Sequence, residues 1–66
     1  MILTTQQQKI YARYIALPDG ELTTGNSLKT EYKRGLLGHR SLAPRDGIAY
    51  AAWLAGRDKK NGVTRP

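Results

Sequence analysis

The chain has 66 residues, no cysteine, and eleven Lys and Arg against five Asp and Glu, giving a net charge of +6 and a pI near 10.1. That length holds one domain, and a domain so small buries only ~60% of the surface its unfolded chain exposes. Disulfide staples and cysteine zinc sites are excluded, so stability must come from a compact apolar core, self-association or a partner.

The first element spans about residues 5–17. Read as a helix, it is capped by Thr4 or Thr5 and places Ile10, Tyr14 and Leu17 on one face, with Tyr11 and Ile15 beside them. Read as a strand, it alternates and turns through Pro18-Asp19-Gly20 into a second strand near residues 21–24. The cap and the polar start favour the helix over the β-hairpin.

The second element, about residues 27–37, is helical by pattern. Asn26 or Ser27 caps it, and Leu28, Tyr32 and Leu36 fall on one face. Lys29 and Lys33 lie on another face, Glu31 sits in the first turn where the helix dipole favours an anion, and Gly38 ends it.

The third element, about residues 47–57, starts after Asp46 as N-cap. Ile48, Ala51, Ala52 and Ala55 form a narrow small-residue face, and Tyr50, Trp53 and Leu54 form another. This helix is the expected centre of the core. A basic stretch from Arg57 to Lys60 follows it, and residues 61–66 read as a flexible basic tail. The expected fold is therefore mainly α: one small domain over residues 1–60, built on a helical hairpin with the first element packed against it.

Met1-Ile2-Leu3 runs at once into Thr4, Thr5 and three glutamines, without the apolar stretch of a signal peptide. The longest weakly apolar run, Ile48 to Gly56, is far short of the ~20 residues a membrane span needs. The expectation is a soluble, cytoplasmic chain with no membrane partner.

The positive charge is unevenly placed. Residues 1–28 are neutral in sum, whereas residues 29–66 carry nine basic residues against three acidic ones. A concentrated basic half is the footprint of a polyanion binder. The residues singled out are Lys29, Lys33, Arg34, Arg40, Arg45, Arg57, Lys59 and Lys60. In the expected hairpin, Lys29 and Lys33 join Lys59 and Lys60 in one patch. The plain alternative is a solvated charged face. Tyr11, Tyr14, Tyr32, Tyr50 and Trp53 are able to stack on bases, but a chain without Phe needs them first as core.

Catalysis has little to stand on. His39 is the only histidine, and it sits in a Gly38-His39-Arg40 turn with no acid nearby in sequence. A triad needs a nucleophile, a base and an orienting acid. The carboxylates are scattered, without metal-ligand spacing. Gly35-Leu36-Leu37-Gly38 lacks the Lys and hydroxyl of a phosphate loop. The reading calls for no enzymatic activity, no metal and no cofactor.

Residues 31–57 resemble the ribosome modulation factor family. Arg34-Gly35 and Gly38 match its glycine-punctuated first helix, Pro44 its loop proline, and Trp53 with Gly56 its Trp-x-x-Gly signature. Ala43 and Arg45 flank the proline where the family has a Cys-Pro-Tyr-like loop, and Arg57 stands where a second tryptophan is common. The resemblance implies a two-helix module that binds small-subunit ribosomal RNA and quiets translation.

The functional expectation is an RNA-binding or ribosome-associated regulator of translation. DNA binding is close behind, although a loop of about nine residues is long for a helix-turn-helix, whose turn has ~3–4. Inhibition of an acidic host protein, as by a phage- or mobile-element-encoded chain, is the competing class. A second copy, joined through Ile48, Ala51, Ala52 and Ala55, is a further candidate partner.

Overall fold

The structure is a computed structural model and describes residues 3–17 and 27–63. Among the described residues, three helices make up the fold: α1 (Thr5–Ile15), α2 (Ser27–Leu36) and α3 (Ile48–Asn61). No strand occurs among the described residues. The mainly helical expectation holds, and the first element is the helix rather than the hairpin. The alternative second strand, residues 21–24, lies outside the described residues, as do 64–66 of the expected tail.

Local chemistry explains the α1 start. Thr4 is the N-cap, its Oγ1 accepting from the Gln7 amide at 3.1 Å while the Thr4 amide donates to Gln7 Oε1 at 3.0 Å. This reciprocal capping box satisfies two donors that a helix start leaves open. Gln7 is itself buried, and its Nε2 donates to the carbonyls of Arg45 at 3.0 Å and Gly47 at 2.9 Å. One side chain thus starts α1 and fastens it to the segment that leads into α3.

One expected cap and one expected dipole partner change. Asp46 does not cap α3; Gly47 does, with no side-chain hydrogen bond. The Pro44–Gly47 turn, closed by Gly47 N–H donating to Pro44 O at 2.9 Å, carries the chain one residue further before the helix begins. Glu31 lies beyond the first turn of α2 and is buried there, with a loop-facing role described below.

α3 also outruns its expected end. It continues through the Arg57–Lys60 stretch to Asn61, and Gly62, at φ 72°, caps it. Val63 N–H donates to Asp58 O at 2.8 Å. α2 ends in the same way, with Gly38 at φ 80° and His39 N–H donating to Arg34 O at 2.8 Å. Both are Schellman-type endings, which need a left-handed residue that glycine supplies without strain.

The core is small. Tyr11, Tyr14, Tyr32 and Leu54 are buried, and Ala51, Ala52 and Ala55 are fully covered. Leu28, Leu36, Ile10 and Leu17 pack against this cluster half-buried, as their helical spacing predicts. The Tyr14 and Tyr32 rings meet at 5.2 Å between centroids and join α1 to α2. The alanine stripe is consumed by the chain's own core, so it offers no face to a second copy; only Ile48 of that set stays exposed.

α2 and α3 pack backbone to backbone at two glycines. A Cβ on Gly35 would overlap the Trp53 carbonyl oxygen and lie 2.7 Å from the Arg57 amide nitrogen. A Cβ on Gly56 would overlap the Tyr32 carbonyl oxygen and lie 3.0 Å from the Leu36 amide nitrogen. Each glycine faces the backbone of the other helix, and only hydrogen fits there.

The ends of these helices are not arranged as the sequence suggested. Ser27, Thr30 and Glu31 of α2 share a surface cleft with Ala49 at the start of α3. Gly38 and His39, after α2, share another with Lys60 and Asn61 at the end of α3. The helices therefore meet start to start and end to end, and residues 37–47 fold back along α2. The Arg57–Lys60 stretch faces the end of α2, not its beginning.

Gly35→Ala and Gly56→Ala must force two backbones apart, at or above the ~3 kcal/mol upper end of ordinary overpacking. At this size ~1 kcal/mol moves the melting temperature by about 4–8 °C, so each is expected to melt more than about 12 °C lower. Gly62→Ala adds only left-handed strain, about 1–2 kcal/mol, because nothing lies within 4 Å of its Cβ position. Thermal melts followed by circular dichroism check this; a Gly35→Ala chain as stable as Gly62→Ala would overturn the crossing argument.

Candidate functional site

The glycine crossing leaves a cleft of about 420 Å³ where α2 and α3 end. Gly35 and Gly38 contribute floor without side chains, and Trp53, Arg57, Lys60 and Asn61 form the α3 wall. His39 and Arg40 close it from the returning loop. None of these lining residues is acidic.

The wall is held by specific contacts. Trp53 is half-buried, and its Nε1 donates to His39 O at 2.7 Å, which fixes the ring and the start of the loop together. The Arg57 guanidinium carbon lies 5.5 Å from the Trp53 ring centroid, in cation–π range. The Tyr50 ring lies 5.2 Å from Trp53, tilted by 33°. Lys60 reaches over Gly38, where a Cβ would come within 2.6 Å of its Nζ. Arg57 and Lys60 are three apart on one helix, so the cleft receives both from the same face.

A buried carboxylate sets the path of the loop that carries His39 and Arg40. Glu31 accepts from Ser41 Oγ at 2.5 Å and from the Leu42 amide at 3.2 Å on each of its oxygens. Ser41 Oγ in turn accepts from the Ala43 amide at 3.1 Å. Arg34 joins from α2: its Nε donates to Arg40 O at 2.9 Å and lies 4.0 Å from Glu31 Oε2. Glu31 is 5% exposed, so these partners compensate a charge withdrawn from water.

The eight basic residues expected from sequence therefore divide. Arg40, Arg57 and Lys60 meet in the cleft. Arg34 supports its rim through the Arg40 carbonyl. Lys59 turns the other way, its Nζ donating to Leu17 O just after α1. Lys29 is half-buried and Lys33 exposed on α2, while Arg45 is exposed in the loop, its carbonyl held by Gln7. The expected grouping of Lys29, Lys33, Lys59 and Lys60 is not formed, because Lys59 and Lys60 project from different sides of α3.

Charge at the cleft survives the helix ends that border it. Each helix C-terminus contributes roughly −0.5 of an elementary charge. Three cations against two such ends leave a local balance of roughly +2. Loop-borne Arg40 depends on the Glu31 latch for its place, whereas Arg57 and Lys60 ride on a helix.

Sequence reading did not pick out Glu31 as a latch, Gln7 as a clamp, or Asp58 as a buried partner. Tyr11 Oη donates to Asp58 Oδ2 at 2.7 Å across the α1–α3 seam, with Asp58 only 3% exposed. No local pattern marks these pairings. Gln7–Arg45 and Tyr11–Asp58 are separated by 38 and 47 positions.

No protein-family model matches the chain, and no curated protein or solved structure is significantly similar to it. Among the described residues, no group of His, Cys, Asp and Glu is arranged to hold a metal ion, and no helix is long and apolar enough to cross a membrane.

Glu31→Ala removes the acceptor that holds Ser41 and Leu42. The expected result is a loss of about 1–3 kcal/mol and faster hydrogen exchange at the Leu42 and Ala43 amides, with the α1 amides changed only by the global loss. Unchanged exchange at Leu42 would show that the loop is held by something else.

Proposed function

We propose that this chain is a small basic regulator that binds RNA, acting on the ribosome to modulate translation. The observation that carries the reading is the convergence of Arg40, Arg57 and Lys60 on one concave, acid-free cleft beside Trp53. Arginine forks and a lysine point charge suit phosphate oxygens. The adjoining aromatic gives the site a surface that nucleobases recognise and that a simple anion does not need.

Two further points support RNA over duplex DNA. Eleven residues, 37–47, separate α2 from α3, and they fold back along α2. A helix-turn-helix has a turn of ~3–4 residues and projects a convex recognition helix into the major groove. Here the clustered cations line a hollow instead.

The resemblance to the ribosome modulation factor family supports the ribosomal target. Its shared residues fall at the crossing and the cleft: Gly35 and Gly56 make the close approach, Gly38 ends α2 and Trp53 walls the site. Arg57, which replaces the tryptophan common in that family, lies against Trp53 and adds a cation to the same place.

Co-sedimentation with purified small ribosomal subunits and fluorescence anisotropy with labelled RNA test the reading at several salt concentrations. Binding is expected at low salt and should weaken with a log–log slope of roughly −1 to −2, from roughly 0.7 per phosphate contact at two or three cleft cations. If all eight basic residues met phosphate, the slope would be roughly −6 by the same relation. A chain that stays at the top of the gradient and binds no RNA at ~50 mM salt, well inside the range where phosphate contacts are strong, would show the reading to be wrong. Stoichiometric capture of one acidic protein under nuclease would point to a protein target instead.

A further inference from the structure

The cleft differs in kind from a basic face. It is concave, about 420 Å³ in volume, and combines cations, an oriented indole and an amide in one place. That volume lies toward the lower end of clefts that hold small ligands, roughly 300–1,000 Å³. It suits a single nucleotide and not the flank of a helix.

We propose that the cleft takes one unpaired nucleotide of a single-stranded RNA, with its base on the Arg57–Trp53 pair and its phosphate between Lys60 and Arg40. This rests on the RNA-binding reading above and narrows it to unpaired RNA. The indole is held in orientation by its bond to His39 O, so the platform is formed before the ligand arrives. The guanidinium lying on it offers a second flat surface on which bases stack. Asn61, the last residue of α3, lines the same cleft with an amide that both donates and accepts, as a base edge requires. A base inside a duplex is stacked on both faces and does not reach such a platform, so selection for single strands follows from the geometry.

Trp53 is the chain's only tryptophan, and its emission therefore reports on the cleft alone. The experiment titrates the protein with a fluorescein-labelled single-stranded ribonucleotide 12-mer and with the duplex of the same sequence. Label anisotropy reads binding anywhere on the chain, and Trp53 emission reads occupancy of the cleft. The expected result is at least tenfold tighter binding of the single strand, accompanied by Trp53 quenching that inorganic phosphate at the same concentration does not produce. Arg57→Gln and Lys60→Gln, both at exposed positions, should each weaken binding at least fivefold with unchanged circular dichroism. Lys33→Gln, exposed on α2 away from the cleft, should change it less than twofold.

Single-stranded RNA bound without Trp53 quenching, or equal loss from Lys33→Gln and Lys60→Gln, would overturn the cleft as the site while leaving RNA binding intact. Equal affinity for the duplex, or equal quenching by inorganic phosphate, would overturn the unpaired nucleotide as its ligand. No anisotropy change with either RNA would end the RNA-binding reading itself.

Discussion

The contact on which the rest of the fold depends is the meeting of two helix backbones at Gly35 and Gly56. Each glycine faces carbonyl and amide groups of the opposite helix, so no larger residue fits either position without separating the helices. A 66-residue chain without cysteine cannot build a deep core. Close approach offers another route. It brings the alanine stripe of α3 under full cover and lets three tyrosines and one leucine finish the interior. Dispersion contacts between close-packed backbones then substitute for side-chain bulk that the sequence lacks.

So thin a core leaves three of the joints outside the α2–α3 crossing to buried polar residues. Gln7 ties α1 to the entrance of α3, Glu31 ties α2 to its returning loop, and Asp58 ties α3 to α1 through Tyr11. All three are buried. A satisfied hydrogen bond adds only ~0.5–1.5 kcal/mol, or ~1.5–3 when one group is charged, but an unmatched buried group costs as much or more. These residues therefore act more by excluding other arrangements than by adding stability. A slipped α1 or a loop leaving α2 in the antiparallel sense would strand a carboxylate or an amide in the interior.

Periodicity made the helices legible and polar pairing decided what the sequence did not show. Leu28, Tyr32 and Leu36 mark the inner face of α2, and Thr4 marks the start of α1. Gly35 and Gly38 were visible as close-packing and helix-end residues, which is what they are, whereas Gly56, expected to weaken the end of the third element, packs inside α3. The direction in which α3 passes α2 was not visible. It depends on Glu31 meeting Ser41 and Leu42, and on Gln7 meeting Arg45 and Gly47, which no local spacing announces. The error in end placement then carried into the site, grouping Lys59 with Lys60 when α3 sends them to opposite neighbours. The same helix, running four residues beyond its expected end, took in the Arg57–Lys60 basic stretch and made it part of one wall of a cleft.

The crossing also explains why the cations and the aromatic are found together. Two helices that touch at one point must diverge from it, and where they diverge past their last turns a hollow opens whose floor is glycine. Arg57, at the crossing, and Lys60, one turn beyond it on the same face of α3, both line that hollow. Trp53, at the crossing, is bound to the His39 carbonyl and thereby to the loop that supplies Arg40. Two of the three cations ride on a rigid helix, and Arg57 is further held against the indole, so little freedom remains to be lost when a phosphate arrives. Arg40 differs. Its position is inherited from the Glu31 latch two residues later in the same loop, which makes a buried carboxylate on α2 a determinant of where the third positive charge stands.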